Sequence, residues 1–233
     1  ISVAVTPCTA KKAEIAREEL CDAGKLLNIE EMRDNDYVIT TKELVQWCQE
    51  EGLDLDKITP SKFDSVLGEG TGAGMIFGNT GGVMEAALRT VYRVLEGKEA
   101  PADFYQLRPV RGLSNRKEAE VTIAGKKLRV CILYGTAAAE EFLAEDMNGY
   151  HFVEVMTCPG GCISGAGQPD CGSVPVSDVV RKKRIQSLYQ ADEQAERRNS
   201  MDNPEIGTIY HEFFKEPLSM LSEKLLHTTY KRK

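Results

Sequence analysis

HFVEVMTCPGGCISGAGQP, residues 151–169, joins an apolar alternating run to two cysteines, Cys158 and Cys162, with three residues between them. Gly160, Gly161, Gly165 and Gly167 fall in or just after that interval. The apolar alternating run YHFVEVMTC, residues 150–158, predicts a strand that delivers the cysteines into a loop. On such a strand His151 is aimed away from the loop. The glycines let backbone come close to whatever the thiols hold, with N–H groups turned toward it. Soft thiolates bind zinc, copper(I) or iron–sulfur clusters. Zinc sites repeat such a pair or match it with histidines, and no second pair lies nearby.

Working outward, Cys8 in VTPCTAKKAE stands in a similar context, a β-like run ending in a loop before a helix. Lys11 follows three residues later and puts a cation at the same place; buried there, it needs an anionic partner. The chain has seven cysteines in 233 residues, an odd number at irregular spacing. That does not resemble a secreted disulfide framework, and it fits a reducing cytoplasm. Cys21, Cys48 and Cys131 sit in apolar patterns and read as core thiols; Cys171, beyond Pro169, is left open. The bland reading is that Cys8, Cys158 and Cys162 are buried core thiols and the glycines merely form a turn; it suits a lone cysteine better than this pair in its glycine loop.

With 42% hydrophobic and 28% charged residues, the composition is that of an ordinary globular chain. Its net charge of −7 disfavours nucleic acid as a partner. No apolar run reaches the roughly 18 residues of a membrane span. ISVAVTPC begins without Met and is already strand-like, as in a piece of a longer protein.

Strands and helices alternate, which indicates an α/β class. Residues 1–6 read as a strand and AKKAEIAREELCDAG (10–24) as a helix with a solvated charged face. NDYVITTKELVQWCQEEG reads as a short strand, an N-cap at Thr40 or Thr41 and a helix ending at Gly52, with Trp47 in the core. ITPSKFDSVLGEGTGAGMIFGNTGG (58–82) reads as a glycine-rich loop. Next come a helix ending at Gly97, a hairpin turning at Ala124–Gly125 and a helix from Ala137. After Cys171 the chain is polar and helical to about Asn199. His211 and His227 sit in an amphipathic tail and read as surface or packing residues. Glu69 and Glu154 are weighed as proton carriers and read instead as solvated or salt-bridged carboxylates.

TPCTAKKAE and EVMTCPGGCISGAGQP closely resemble two of the three signature segments of the FeFe-hydrogenase catalytic domain. VITTKEL, GTGAGMIFGNTGGVMEAALRT, VRGLSNRKEAEV and YHEFFKEPLSMLSEKLLHTTY are similar to that family too, in order along the whole chain. The resemblance implies two mixed-sheet lobes flanked by helices with a cluster site between them, and a helical C-terminal belt. The expected division is 1–106 for the first lobe, 107–185 for the second lobe with the cysteine loop, and 186–233 for the belt. It implies an H-cluster: a 4Fe–4S cluster joined to a two-iron subcluster with CO, cyanide and a dithiolate. By motif position Cys8, Cys158 and Cys162 are three of its four cysteine ligands, and Cys162 is the bridging one. Lys11 matches a lysine that holds cyanide, and Met156 a methionine beside the bridging CO. Phe77 and Gly78 match a segment approaching the two irons, and Gln168 a glutamine of unassigned role. The implied reaction is the reversible reduction of protons to H2, with an electron carrier such as ferredoxin, in the cytoplasm of an anaerobic microbe.

The sequence departs from that family at two places. The Cys-Cys-Pro segment that supplies the fourth ligand is absent, so an upstream part of the same protein or a partner subunit has to bring it, and this chain alone is expected to be inactive. Thr6 stands where the family commonly has Met. Two other readings remain: a non-catalytic relative such as the Nar1-type iron–sulfur assembly proteins, and an H2-sensing homologue.

Overall fold

The computed structural model describes residues 1–145 and 147–228. In chain order the elements are β1 (Val3–Thr6), α1 (Lys11–Glu14), α2 (Asp22–Leu27), β2 (Tyr37–Thr40), α3 (Thr41–Glu50), α4 (Gly72–Ile76) and α5 (Gly82–Glu96). There follow β3 (Arg116–Ile123), β4 (Lys126–Tyr134), α6 (Thr136–Leu143), β5 (Phe152–Met156), α7 (Asp178–Gln194), α8 (Pro204–Ile209) and α9 (Met220–Leu226). The expected mixed α/β class is what the chain adopts, with two small sheets flanked by helices. It divides into two units. One holds 1–66, 165–169 and 204–233, the other 67–164 and 170–203. Of the tail motif, Thr229 and Tyr230 lie outside the described residues.

In the first unit β1 and β2 pair in parallel, with Val3 opposite Tyr37 and Thr6 opposite Thr40. Thr40 ends β2 and caps α3. Its hydroxyl accepts from the Glu43 N–H while the Glu43 carboxylate accepts from the Thr40 N–H, a reciprocal capping box. The Lys12 ammonium, with the Thr40 groups, holds the Glu43 carboxyl down to about 2. Trp47 is not in the core. It is 53% exposed on α3, which buries none of its residues. α3 packs only partly on β1 and β2, with Leu44 and Cys48 half-buried and Val45 and Trp47 exposed.

The helix expected over 10–24 is broken into α1 and α2. Ala10 offers no side-chain cap. The N–H groups of Asp22 and Ala23 are instead taken by the Asp34 carboxylate, a cap twelve and eleven residues away that starts a second helix. Gly24 lies against the chain at 29–32, where a Cβ would stand 2.5 Å from the Met32 carbonyl oxygen. A straight continuation of α1 would not place it there.

In the second unit the sheet runs β3-β4-β5, antiparallel then parallel. The hairpin turns at Ala124–Gly125 as expected. Both residues have positive φ, 49° and 72°, the geometry that matches the twist of the strands. β4 is buried on both faces, which is why VCIL reads as a continuous apolar run. Val130 and Ile132 join Met84 and Leu88 of α5 in the main core, while Cys131 and Leu133 pack with Ala138 and Phe142 of α6. α4 lies inside the stretch read as a loop. Thr71 caps it, and Gly72 packs so tightly on α7 that a Cβ would meet Asp192 Oδ1 at 2.1 Å. Tertiary packing overrides the low helix propensity of GTGAG.

Candidate functional site

β5 delivers the cysteine loop. Met156 closes the strand opposite Tyr134, and its carbonyl accepts from the Gly135 N–H. The chain then turns tightly. The Gly161 N–H bonds the Cys158 carbonyl at 3.0 Å, with φ of 80° at Gly160 and 101° at Gly161. Cys162 opens a short 3-10 turn over Cys162–Ser164. Cys162 is exposed and Cys158 half-buried, and no cysteine of the chain is in a disulfide.

A second loop, Phe77–Gly81, runs alongside. The Thr80 N–H donates to the Gly160 carbonyl at 3.0 Å, and the Ile163 N–H to the Gly78 carbonyl at 3.1 Å. Phe77 is exposed and Gly78 half-buried. So Phe77, Gly78, Met156, Cys158 and Cys162 belong to one stitched pair of loops. The glycines were expected to admit a bound group. Gly161 in fact admits the facing backbone, since its Cβ would sit 2.7 Å from both the Gly78 oxygen and the Thr80 nitrogen.

Glu154 anchors the assembly from beneath. It is buried, not solvated or salt-bridged: its carboxylate accepts from the N–H groups of Gly81 and Met84 at 2.6 and 2.8 Å. These are orphan donors of the first turn of α5, whose N-cap residue Gly81 has no side chain to satisfy them. Burial pushes the Glu154 carboxyl up, against the lowering effect of these bonds and of Lys117. Lys117 is buried too and donates to the Thr80 carbonyl and hydroxyl and to the Gly112 carbonyl. Burial brings its ammonium down to about 8. Alternation along β5 showed which side Glu154 faces, and nothing in the local sequence showed that a helix N-terminus waits there.

A raised folded pKa on an acid means that the folded state binds the proton more tightly than the unfolded one. The stabilisation from Glu154 is therefore present below the ordinary glutamate value of about 4.3 and lost as pH rises through the folded value. The stability difference between wild type and Glu154→Gln should shrink as pH rises from 4 to 7, measured by urea unfolding of the iron-free chain. A difference independent of pH would show that the carboxyl titrates normally.

In the first unit the Thr6 hydroxyl accepts from the Cys8 N–H at 2.9 Å, a local turn that sets the Cys8 loop. Gly167 donates its N–H to the Pro7 carbonyl, and a Cβ there would clash with Thr40. The half-buried Gln168 is thus held beside the Thr6–Cys8 loop. Lys11 is exposed, with its ammonium 2.6 Å from Glu14. The anionic partner expected for a buried Lys11 is, in this structure, a neighbouring carboxylate. Glu69 pairs with Arg197 at 2.9 Å, the bland reading made for it.

Among the described residues no three His, Cys, Asp or Glu side chains converge as ligands of one metal ion. The donor chemistry of the cysteine loop nonetheless suits iron and sulfide: two thiols, Cys158 and Cys162, on one rigid turn. One buried side chain of the facing Phe77–Gly81 loop is unsatisfied. Asn79 is fully buried, and neither its Oδ1 nor its Nδ2 has a partner among the described residues.

Residues 1–166 match the family described as iron only hydrogenase large subunit, C-terminal domain. The chain belongs to this family. Residues 178–233 match the iron hydrogenase small subunit family as well. Iron hydrogenase 1 of Clostridium pasteurianum is 37% identical over 99% of the chain, which spans 39% of that protein. A variant of the FeFe-hydrogenase HydA1 from Chlamydomonas reinhardtii superposes with a TM-score of 0.75 at 33% identity, covering 98% of this chain and 62% of that one. Protein NAR1 of Arabidopsis thaliana is 31% identical over 98% of the chain and 49% of its own length. The chain thus spans less than half the length of these curated relatives. Among the described residues no helix is long and apolar enough to cross a membrane.

Proposed function

We propose that this chain is part of the catalytic domain of an iron-only hydrogenase that interconverts protons, electrons and H2. The observation that carries this reading is the rigid presentation of Cys158 and Cys162 on one glycine turn, stitched to the Phe77–Gly81 loop. Cys8, Cys158 and Cys162 would ligate an iron–sulfur group, Cys162 bridging to the two-iron part. When bound, that group supplies the redox-active iron at which two protons and two electrons form H2. The chain's own residues hold and orient it: Thr6 shapes the Cys8 loop, Glu154 and Gly161 fix the Cys158–Cys162 turn, and Met156 and Phe77 supply apolar surface beside it. Lys11, exposed and paired with the half-buried Glu14, would turn toward an anionic ligand of that group. The fourth cysteine, and an electron carrier such as ferredoxin, come from outside this chain.

The test is iron and acid-labile sulfide per chain after anaerobic reconstitution, with the EPR spectrum of the reduced sample. In the full-length protein, which brings the fourth cysteine, wild type is expected to take up a 4Fe–4S complement and Cys158→Ser to lose most of it. Equal iron in both would rule out Cys158 as a ligand. The similarity to NAR1 favours a second reading, an iron–sulfur assembly protein that keeps the cluster cysteines without making H2. Infrared bands of CO and cyanide in the matured full-length protein, with H2 evolution, decide for the hydrogenase; their absence decides for the assembly protein.

A further inference from the structure

Two cations are buried among the described residues, and they are held differently. Arg89 bonds two carboxylates. The Lys117 ammonium bonds none: its acceptors are the Thr80 carbonyl at 3.1 Å, the Thr80 hydroxyl at 3.2 Å and the Gly112 carbonyl at 3.2 Å. Buried charges are normally paired, because losing water costs more than neutral acceptors return. Lys117, Ile132 and Glu154 stand in one row across β3, β4 and β5. Glu154 acts on Lys117 through its charge, but its two oxygens are taken by the N–H groups of Gly81 and Met84. The other charges that the packed elements bring, Glu85 and Arg89 of α5 and Arg111 before β3, are bonded to one another.

The acceptors of Lys117 say what its charge is for. Thr80 and Gly112 belong to the two segments that meet the cysteine turn at Gly160. The Thr80 N–H donates to the Gly160 carbonyl. Leu113, next to Gly112, sets its Cδ2 3.1 Å from where a Gly160 Cβ would stand, and its carbonyl accepts from the Tyr134 hydroxyl. One ammonium thus gathers both supports of the turn between Cys158 and Cys162. We infer that Lys117 is a positioning residue for this turn, and that its buried positive charge favours the reduced state of the iron–sulfur group held by Cys158 and Cys162. This rests on the functional reading above. No contact with that group is needed, since the charge acts across Thr80 in an interior where water screens weakly. Net charge is among the determinants of a cluster's potential, and a nearby cation raises it.

The test is the reduction potential of the full-length protein, reconstituted anaerobically with iron and sulfide, for wild type, Lys117→Met and Lys117→Gln across a range of pH. At neutral pH both variants should be reduced less readily, by roughly tenfold in the equilibrium or about 59 mV for one electron. The gap should close as pH rises. The wild-type ammonium, brought by burial to about 8 without iron and held higher beside an anionic group, then loses its proton. A gap that stays the same at every pH would mean that displaced loops, not charge, set the potential, and would overturn the inference. Equal potentials at neutral pH would overturn it too. If neither variant takes up iron, wild type decides: a potential that falls as pH rises past neutrality supports the inference, and a flat one overturns it. A folded wild type that takes up no iron refutes the functional reading itself, and this inference with it.

Discussion

Asp192→Ala should lower the stability of the iron-free chain by about 3–5 kcal/mol, the cost of leaving a buried charge without its partner. Asp192 is fully buried on α7 and takes two hydrogen bonds from Arg89, at 2.7 Å each, and two more from Arg198. Arg89 is fully buried as well and also bonds Glu85, which is gripped at both oxygens by Arg111. Three guanidiniums therefore share two carboxylates, with the ring of Tyr105 under Arg89 and Arg198 and that of Tyr189 under Arg111. Removing Asp192 strips one of the two anions and opens space against Gly72. A total stability of 5–15 kcal/mol is usual, so the loss is a large share of it. Burial would raise the Asp192 carboxyl, but the hydrogen bonds and charges of Arg89 and Arg198 overcome this and hold it below the ordinary range. The stabilisation is then complete above the unfolded value, about 3.9, and disappears as pH falls through the lower folded value. Urea unfolding should show a constant gap between wild type and variant from pH 7 to about 4, narrowing below that. A gap under about 1 kcal/mol at pH 7 would mean that the network balances its own desolvation and does not hold α5 to α7.

This network also shows where sequence reading stops. Glu85 and Arg89 are four residues apart on a periodic helix, which looks like a surface pair. Their burial depends on Asp192, more than a hundred residues away. The same holds for the caps. The start of α3 was legible to within one residue, Thr40 or Thr41, because a cap and its helix lie within one turn; the reciprocal bond from Glu43 was not read. Asp34 on α2 and Glu154 on α5 were not legible, because each satisfies a helix start remote in sequence. Some local signals held, the alternation of β5 and the turn at Ala124–Gly125, while the helical pattern over 10–24 did not, since that stretch breaks into α1 and α2. The cysteine loop was recognisable because its chemistry and its turn are written in the same few residues. What it leans on was not, since Gly78, Asn79 and Thr80 come from another part of the chain.

That dependence predicts a sharp contrast between adjacent glycines. Gly160 and Gly161 both have positive φ, so alanine at either meets backbone strain of about 1–3 kcal/mol. They differ in what a methyl group would touch. At Gly160 the nearest atoms are the ends of movable side chains, Leu113 Cδ2 at 3.1 Å and Arg181 Cδ at 3.6 Å. At Gly161 they are backbone, the Gly78 oxygen and Thr80 nitrogen at 2.7 Å and the Asn79 carbonyl carbon at 2.9 Å. Side chains can rotate aside; that backbone is pinned by the first turn of α5, which Glu154 holds. Gly161→Ala must therefore push the two loops apart and break the bonds from Thr80 to Gly160 and from Ile163 to Gly78, at about 0.5–1.5 kcal/mol each. Gly161→Ala should cost about 3 kcal/mol or more and abolish iron uptake on reconstitution, because Cys158 and Cys162 lose their fixed separation. Gly160→Ala should cost about half as much and keep most of its iron. Thermal melts and iron content of the two variants, side by side, check this. Equal losses in both would mean that positive φ alone explains the glycines, and that the close approach of the two loops does not set the cysteine geometry.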